Sequence, residues 1–532
     1  MTSNSVYEAC KSALSISDTS KLSLQEAVDR QEQLLECTVS SNADSINSFF
    51  LIFASALVFF MQAGFAMLCA GCVQKKNIQN TMLKNLLDVC GAALGFYTVG
   101  YAFAYGGSYG ESTGSNKTFI GTSNFFLAGV DDVMFWVFQF AFSASCATIV
   151  AGTLAERCQM TAYVMYSIVL TGFVYPVVVH SIWSPQGFLS AHASSPLWGS
   201  GFVDFAGSTV VHFTGGFTAL IAAYMLGPRR GRFYDDRGKL LITPNPMPGH
   251  SSALQVLGVF ILWFGWYGFN VGSAVSITGP GQPYVMSLAA VNTTLSPASA
   301  CLSAIIVNYF LAERKTGEGE FSLKASINGC LSGLVAITGP CAVVEPWAAI
   351  IIGLLAGPIY LLSSEALVRF RIDDAVDAIP VHMFNGIFGS IAVAFLASPS
   401  RLELVYGHSD HAGLFYSGDG TLLAAQVCGL LFVLAWVAAL MTPFFLLLNK
   451  LGWFRTDAIT EITGLDQSYH GAANLDADDH SLGPKPISPF QRTIAGPNVR
   501  VSVLDNSNSD HGSRFNVRTS TLDDSGPPAD GA

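Results

Sequence analysis

Eleven stretches of the chain stay apolar for about 20 residues, the length a helix needs to cross the hydrocarbon of a bilayer. They lie at about 48–72, 84–106, 132–154, 162–183, 203–226, 253–275, 287–311, 322–339, 346–368, 379–398 and 421–449. None alternates in the manner of a barrel strand. The pattern predicts an all-α polytopic membrane protein of eleven transmembrane helices. Composition agrees. Hydrophobic residues make up 51% of the 532 residues and charged residues 12%, about half the ~25% of a soluble domain.

Polar flanks orient the spans. One set of loops carries 16 Lys and Arg, and the opposite set only Lys117 and Arg401. Basic loops stay cytoplasmic, so the N-terminus is expected outside and the C-terminus in the cytosol. No basic region followed by an apolar run precedes the first span, which is therefore expected to act as the signal-anchor. Four units follow: an extracellular segment 1–45, the eleven-span domain 46–449, a cytosolic tail 450–471, and an acidic tail 472–532 expected to be disordered. The polar N-terminal segment holds a helix-like run, Lys21–Cys37. Cys10 and Cys37 lie on the oxidising side, where a disulfide between them can form; two free thiols is the other reading. The Cys69-x-x-Cys72 pair ends an apolar span with no second pair, and reads as packing and not as a metal site. The net charge is −11. From Asp457 onward 11 acidic residues face 5 basic ones, a balance that does not point to nucleic acid as a partner.

Two stretches repeat. Asp204 precedes His212 by eight residues, within Val211-His212-Phe213-Thr214-Gly215-Gly216. Asp374 precedes His382 by eight, within Val381-His382-Met383-Phe384-Asn385-Gly386. They lie five spans apart, an odd number, so the two halves have opposite topology. This predicts two inverted five-helix repeats with the eleventh helix laid across the outside, and a site near the midplane between the repeats. Ionisable groups in a span are costly, at least ~2.5–3.5 kcal/mol at its centre, so Asp204, His212 and His382 need a reason. A pseudo-twofold axis would bring the histidines together as a neutral pair able to pass a proton. Asp204 can cap the N-terminus of its helix or hold a cation indirectly through backbone carbonyls; both readings remain open. The aromatic runs Phe135–Phe142 and Trp263–Phe269 are by spacing alone ordinary stripes.

Asp204-Phe205-Ala206-Gly207-Ser208-Thr209-Val210-Val211-His212 resembles the fifth-span signature of the ammonium transporter (Amt/Mep/Rh) family. Gly265-Trp266-Tyr267-Gly268-Phe269-Asn270-Val271-Gly272-Ser273 and Asp377-Ala378-Ile379-Pro380-Val381-His382 resemble it as well, as do Lys75-Lys76-Asn77 and Asn85-Leu86-Leu87-Asp88. The resemblance covers about 46–472 and lies nearer the Amt branch than the Rh branch. It implies transport of ammonium and methylammonium, with passage of ammonia, at the plasma membrane by a homotrimer with one pore per subunit. It implies an outer cation site of Trp198 and Ser273, a stacked pair Phe142 and Phe269 below it, twin pore histidines His212 and His382, and Asp204 as a support that does not touch substrate. In the tail, Arg455, Glu461, Gly464, Asp466, His470 and Gly471 resemble a regulatory segment that touches a neighbouring subunit, with Ser468 at a phosphorylated position. Asn116-Lys117-Thr118 is an outward glycosylation sequon at Asn116. An ammonium sensor signalling through the tail is the alternative function; 472–532 is short for an output domain. An intramembrane hydrolase using His and Asp as metal ligands would need a third ligand near His212 and His382 and a nucleophile motif; HExxH does not occur, and no enzyme, cofactor or metal is expected.

Overall fold

The computed structural model describes residues 10–12, 24–107 and 117–471. Asn116 and the tail 472–532 lie outside them. Among the described residues there is no strand beyond four isolated bridges. Eleven long helices form the body: α1 (Leu24–Cys72), α2 (Lys75–Tyr105), α3 (Val133–Thr153), α4 (Met160–Trp183), α5 (Ser208–Leu226), α6 (Ser252–Gly272), α7 (Gln282–Thr316), α8 (Leu323–Thr338), α9 (Pro346–Arg369), α10 (Ile379–Leu396) and α11 (Thr421–Lys450). Two short helices, α12 (Ala458–Thr463) and α13 (Leu465–His470), follow.

Three helices depart from the hydrophobic pattern. α1 runs unbroken for 49 residues, about 70 Å at 1.5 Å per residue. Residues 24–45 are thus continuous with the first span. Its start is tied down by a disulfide between Cys10 and Cys37. α2 begins nine residues before the expected 84, because other parts of the chain hold its polar first turns: Asn77 donates to Glu156 at 2.9 Å and the Asn80 amide donates to Asp466 at 2.8 Å. α8 has 16 residues, about 24 Å, short of the ~30 Å hydrocarbon layer. It is buried along almost its whole length, held among α6, α7, α9 and α10. An irregular run from Gly339 completes the crossing.

The repeat is visible in which helices touch. α1 lies along α6, the first helix of each half. The pairings α2 with α3, α2 with α4 and α3 with α5 recur as α7 with α8, α7 with α9 and α8 with α10. The fifth helices, α5 and α10, cross at the centre. α11 lies across both, and against α4, with its far side exposed at Leu431, Leu446 and Leu447. The crossing is close because it is made by glycine. A Cβ on Gly216 would stand 2.4 Å from the Met383 nitrogen, and one on Gly386 2.6 Å from the Ser208 oxygen. Each glycine follows the histidine of its own half by four residues, one helical turn.

Candidate functional site

Each fifth helix opens with a widened, π-type segment, Ser208–Phe213 and Ile379–Phe384. Such bulges shift the phase of a helix and favour functional positions. Both segments start beneath an aspartate. The Asp204 carboxylate accepts from four backbone N–H groups, Gly207 and Ser208 on one oxygen (3.0 and 2.8 Å), Thr209 and Val210 on the other (2.8 and 3.0 Å). These are orphan donors at the start of a helix, so the aspartate caps α5. Asp374 does the same for α10 with fewer bonds, from Val376 (3.3 Å) and Ile379 (2.7 Å).

With both helices so set, the histidines meet. His212 Nδ1 and His382 Nδ1 lie 3.1 Å apart, so one ring donates and the other accepts. Both are buried. His212 stacks on Trp266 and Phe269, with centroids at 5.1 and 5.6 Å, while His382 faces Phe65 at 6.3 Å. The Nε2 of His212 has no partner among the described residues.

Above the histidines, Phe142 and Phe269 stack face to face, centroids 4.0 Å apart and both buried. Phe142 borders an outer vestibule of about 410 Å³ lined also by Tyr105, Gln139, Trp183, His192, Ser273 and Gln282. Ser273 donates its hydroxyl hydrogen to the Phe269 carbonyl at 2.8 Å, which leaves its oxygen to accept from a guest. Below the histidines lies a cavity of about 20 Å³ bounded by Phe65, Cys69, Asn328, Val376 and His382. Asn328 and Val376 also border an inner vestibule of about 600 Å³, with Arg229, Lys324, Asp373, Asp374 and Asp377 in its wall. The sequence of spaces is therefore wide, closed, narrow, wide.

One expected site residue is not in this column. Trp198 sits on the outer loop, 55% exposed, with a left-handed φ of 52°, and does not line the vestibule. Trp183, at the end of α4, does. Its indole N–H donates to the Asp204 carbonyl at 2.7 Å, and its ring meets Phe142 edge-on at 5.9 Å. Both tryptophans precede Asp204, and the nearer in sequence is the farther in space, because residues 184–203 loop outward between them. The signal for Trp183 was its place at the end of an apolar helix, where packing fixes a ring.

The basic end of the bundle carries a charge cluster that the sequence reading did not find. Arg229 joins Asp373 (2.7 and 2.8 Å) and Glu156. Arg157 reaches the Gly227 and Asp373 carbonyls at 2.8 and 2.7 Å. Burial pushes the Asp373 carboxyl up, but the Arg229 hydrogen bonds and the Arg157 and Arg229 charges outweigh it and hold it below the usual range. The tail docks beside this cluster on its own chain. Arg455 pairs with Glu461 at 2.9 Å and reaches the Leu226 and Pro228 carbonyls. Asp466 accepts from the Gln79 and Asn80 amides at 2.9 and 2.8 Å, capping the start of α2. Ser468 is half-buried in α13, two residues beyond Asp466.

Residues 49–475 match the model of the Ammonium Transporter Family. Ammonium transporter 1 member 3 of Solanum lycopersicum is 40% identical over 469 residues, 85% of this chain and 98% of its own. A solved structure titled "Sensor Amt Protein" is 31% identical with a TM-score of 0.69, covering 81% of this chain and all of its own. Candida albicans Mep2 gives 26% and 0.67, over 79% of this chain and 88% of its own. A family model spanning most of the chain, with relatives matched over nearly their full length, places the protein in the ammonium transporter family.

Proposed function

We propose that the chain transports ammonium across the plasma membrane by separating the proton from ammonia. A cation in the outer vestibule meets the Trp183 face, by cation–π attraction, and the free acceptor of Ser273. Trp183 takes the place first expected for Trp198. Asp204 holds Trp183 and the start of α5 in place and does not touch the substrate. A whole cation cannot pass Phe142 and Phe269, since an unpaired charge in apolar surroundings costs several kcal/mol. The N–H bond of ammonium breaks instead. Its proton goes to Nε2 of His212 while the Nδ1 proton of His212 moves to Nδ1 of His382, and His382 releases a proton from Nε2 on the inner side. Neutral ammonia passes between the rings and is reprotonated in the inner vestibule. Potassium has the charge of ammonium but no proton to give, so the same pore rejects it.

The observation that carries this reading is the 3.1 Å contact between two buried histidines directly beneath a closed aromatic pair. The test is uptake of labelled methylammonium in cells that lack their own ammonium transporters. Saturable uptake, competed by ammonium and not by potassium, is expected. No uptake at normal surface abundance overturns the reading.

We propose further that the chain works as a homotrimer and that 450–471 regulates it, with Ser468 as a phosphorylation site. An ammonium sensor is the second reading, favoured by the likeness to the structure titled as a sensor and by the tail's position against the inner loops. It predicts a signalling output that survives loss of flux.

A further inference from the structure

We propose that His192 is a further ammonium-binding residue, a neutral acceptor in the wall of the outer vestibule that takes the cation before it reaches Trp183 and Ser273. The proposal rests on the ammonium reading above.

His192 lies on the loop between α4 and α5, outside the spans, and lines the same cavity as Trp183 and Ser273. Its backbone is anchored: the amide donates to Ser190 Oγ at 3.1 Å, and the neighbouring Ala191 carbonyl holds the His408 ring nitrogen at 3.0 Å. One side of its ring packs on Tyr406, with centroids 4.7 Å apart. A loop histidine held at backbone and ring is built into a position. Yet neither ring nitrogen hydrogen-bonds to any described residue.

The vestibule's other polar groups share this state. Gln139 is 95% buried, and its Oε1 has no partner; the Oε1 of Gln282 has none either. Two buried acceptors without donors in one wall, beside an exposed imidazole that no described residue hydrogen-bonds, point to a guest that brings donors. None of the described side chains lining the cavity is acidic. The guest is thus drawn by neutral acceptors and π faces, which hold a cation without trapping it. Ammonium, with four N–H donors and one charge, fits that demand. Potassium brings no N–H, and imidazole nitrogen is a poor ligand for so hard an ion.

An imidazole serves as an acceptor only while neutral. The protein packed round the ring, with the facing His408 charge second, pushes His192 down to about 4, although the residue keeps an exposed edge toward the vestibule. The ring is then neutral at ordinary external pH and keeps its lone pair.

The experiment is the concentration dependence of methylammonium uptake, normalised to surface abundance, for the wild-type chain, His192→Phe and His192→Gln. Phe keeps the ring's packing and removes the acceptor. Gln restores an acceptor. His192→Phe should raise KM about fivefold to tenfold, the loss of one hydrogen bond to a charged group, with maximal flux within twofold. His192→Gln should stay within twofold of wild type in both. An unchanged KM in His192→Phe overturns the proposal. So does an equal rise in both variants, which would mean packing. Should His192→Phe fail to reach the surface, His192→Ala is read by the same criteria. A wild-type chain that takes up no methylammonium would overturn the transport reading instead, so the two failures are distinct.

Discussion

Asp204 and Asp374 occupy the same position in the two halves, eight residues before one of the two touching histidines, and their surroundings differ sharply. Asp204 satisfies four amides in a sealed pocket, where it is 2% exposed and even Gly339 has no room for a Cβ (2.9 Å to the carboxylate). Asp374 satisfies two amides and borders a 600 Å³ vestibule beside Asp373 and Asp377. Duplication supplied one helix-capping device twice. The outer copy became a fixed structural support, holding Trp183 through its own carbonyl. The inner copy sits among groups that exchange with the cytosolic side. The two vestibules, related by a repeat, thus carry different loads: the outer has no acidic side chain in its described wall, while the inner is charged.

The largest effect should come from breaking the outer cap. Asp204→Ala leaves four buried amides without acceptors and is expected to abolish methylammonium uptake, at least 100-fold down at equal surface abundance. Asp204→Glu, one methylene too long for the pocket, should keep little. Asp374→Asn should lose less than tenfold, because its amide oxygen still serves one of the two donors and the other lies at the rim of an open vestibule. Equal losses in Asp204→Asn and Asp374→Asn would erase the distinction between the mouths.

The crossing glycines test where the halves remain equivalent. Gly216→Ala and Gly386→Ala each push a methyl into the backbone of the other fifth helix. Both should destabilise by about 1–3 kcal/mol, as overpacking does, and lower the melting temperature in detergent by several degrees. If only one does so, the crossing is less symmetric than its geometry.

The tail offers the next test. Phosphate added at Ser468 would stand near Asp466 and Glu461, repel both, and loosen the cap on α2 and the Arg455 pair. Ser468→Asp is expected to cut flux severalfold without lowering surface abundance, and co-expression with wild type should cut it beyond simple dilution. Proportional loss would confine the tail's action to its own pore, and full flux would make Ser468 an ordinary tail serine.

The smallest effect is one of pH. Burial, with Asp377 second, raises the Asp374 carboxyl to about 6 from 3.8. The folded chain therefore binds this proton more tightly than the unfolded chain. The stability so gained is complete below about 4 and lost as pH rises through about 6. Asp374→Asn should flatten the melting temperature across that window by about 2–4 °C; an unchanged slope would mean the carboxyl titrates normally.

Much of this was legible in the chain because a bilayer imposes harsh rules. Eleven apolar runs gave eleven helices, and two repeated Asp-x7-His spacings located two rings that touch, with a glycine one turn after each. The Phe142–Phe269 stack came through resemblance; spacing alone would have left both as stripes. What failed did so for physical reasons. The resemblance points to Trp198, while the structure puts Trp183 in the vestibule wall, because position along the chain says little across a loop. Hydropathy starts the first span near residue 48 while its helix starts at Leu24, because hydropathy registers where the membrane begins and a helix does not stop there. The charge cluster of Glu156, Arg157, Arg229 and Asp373 was invisible because its members come from three separate loops, each of which reads as ordinary positive-inside charge. The empty nitrogens of His192 belong to the same class, since an unmet hydrogen bond is a property of the assembled wall.

The cap that Asp466 places on α2 ties Gln79 to a residue 387 positions later. During synthesis the second span is made long before its last acceptor exists. Its first amides wait at the cytosolic surface, served by water, until every other span has been made. The contact thus closes late and marks a chain whose membrane part is complete. A ribosome that stops before residue 466 leaves a protein with all eleven spans and an open seam at the inner face, a difference that the cell's surveillance of half-built membrane proteins could read from the cytosol alone.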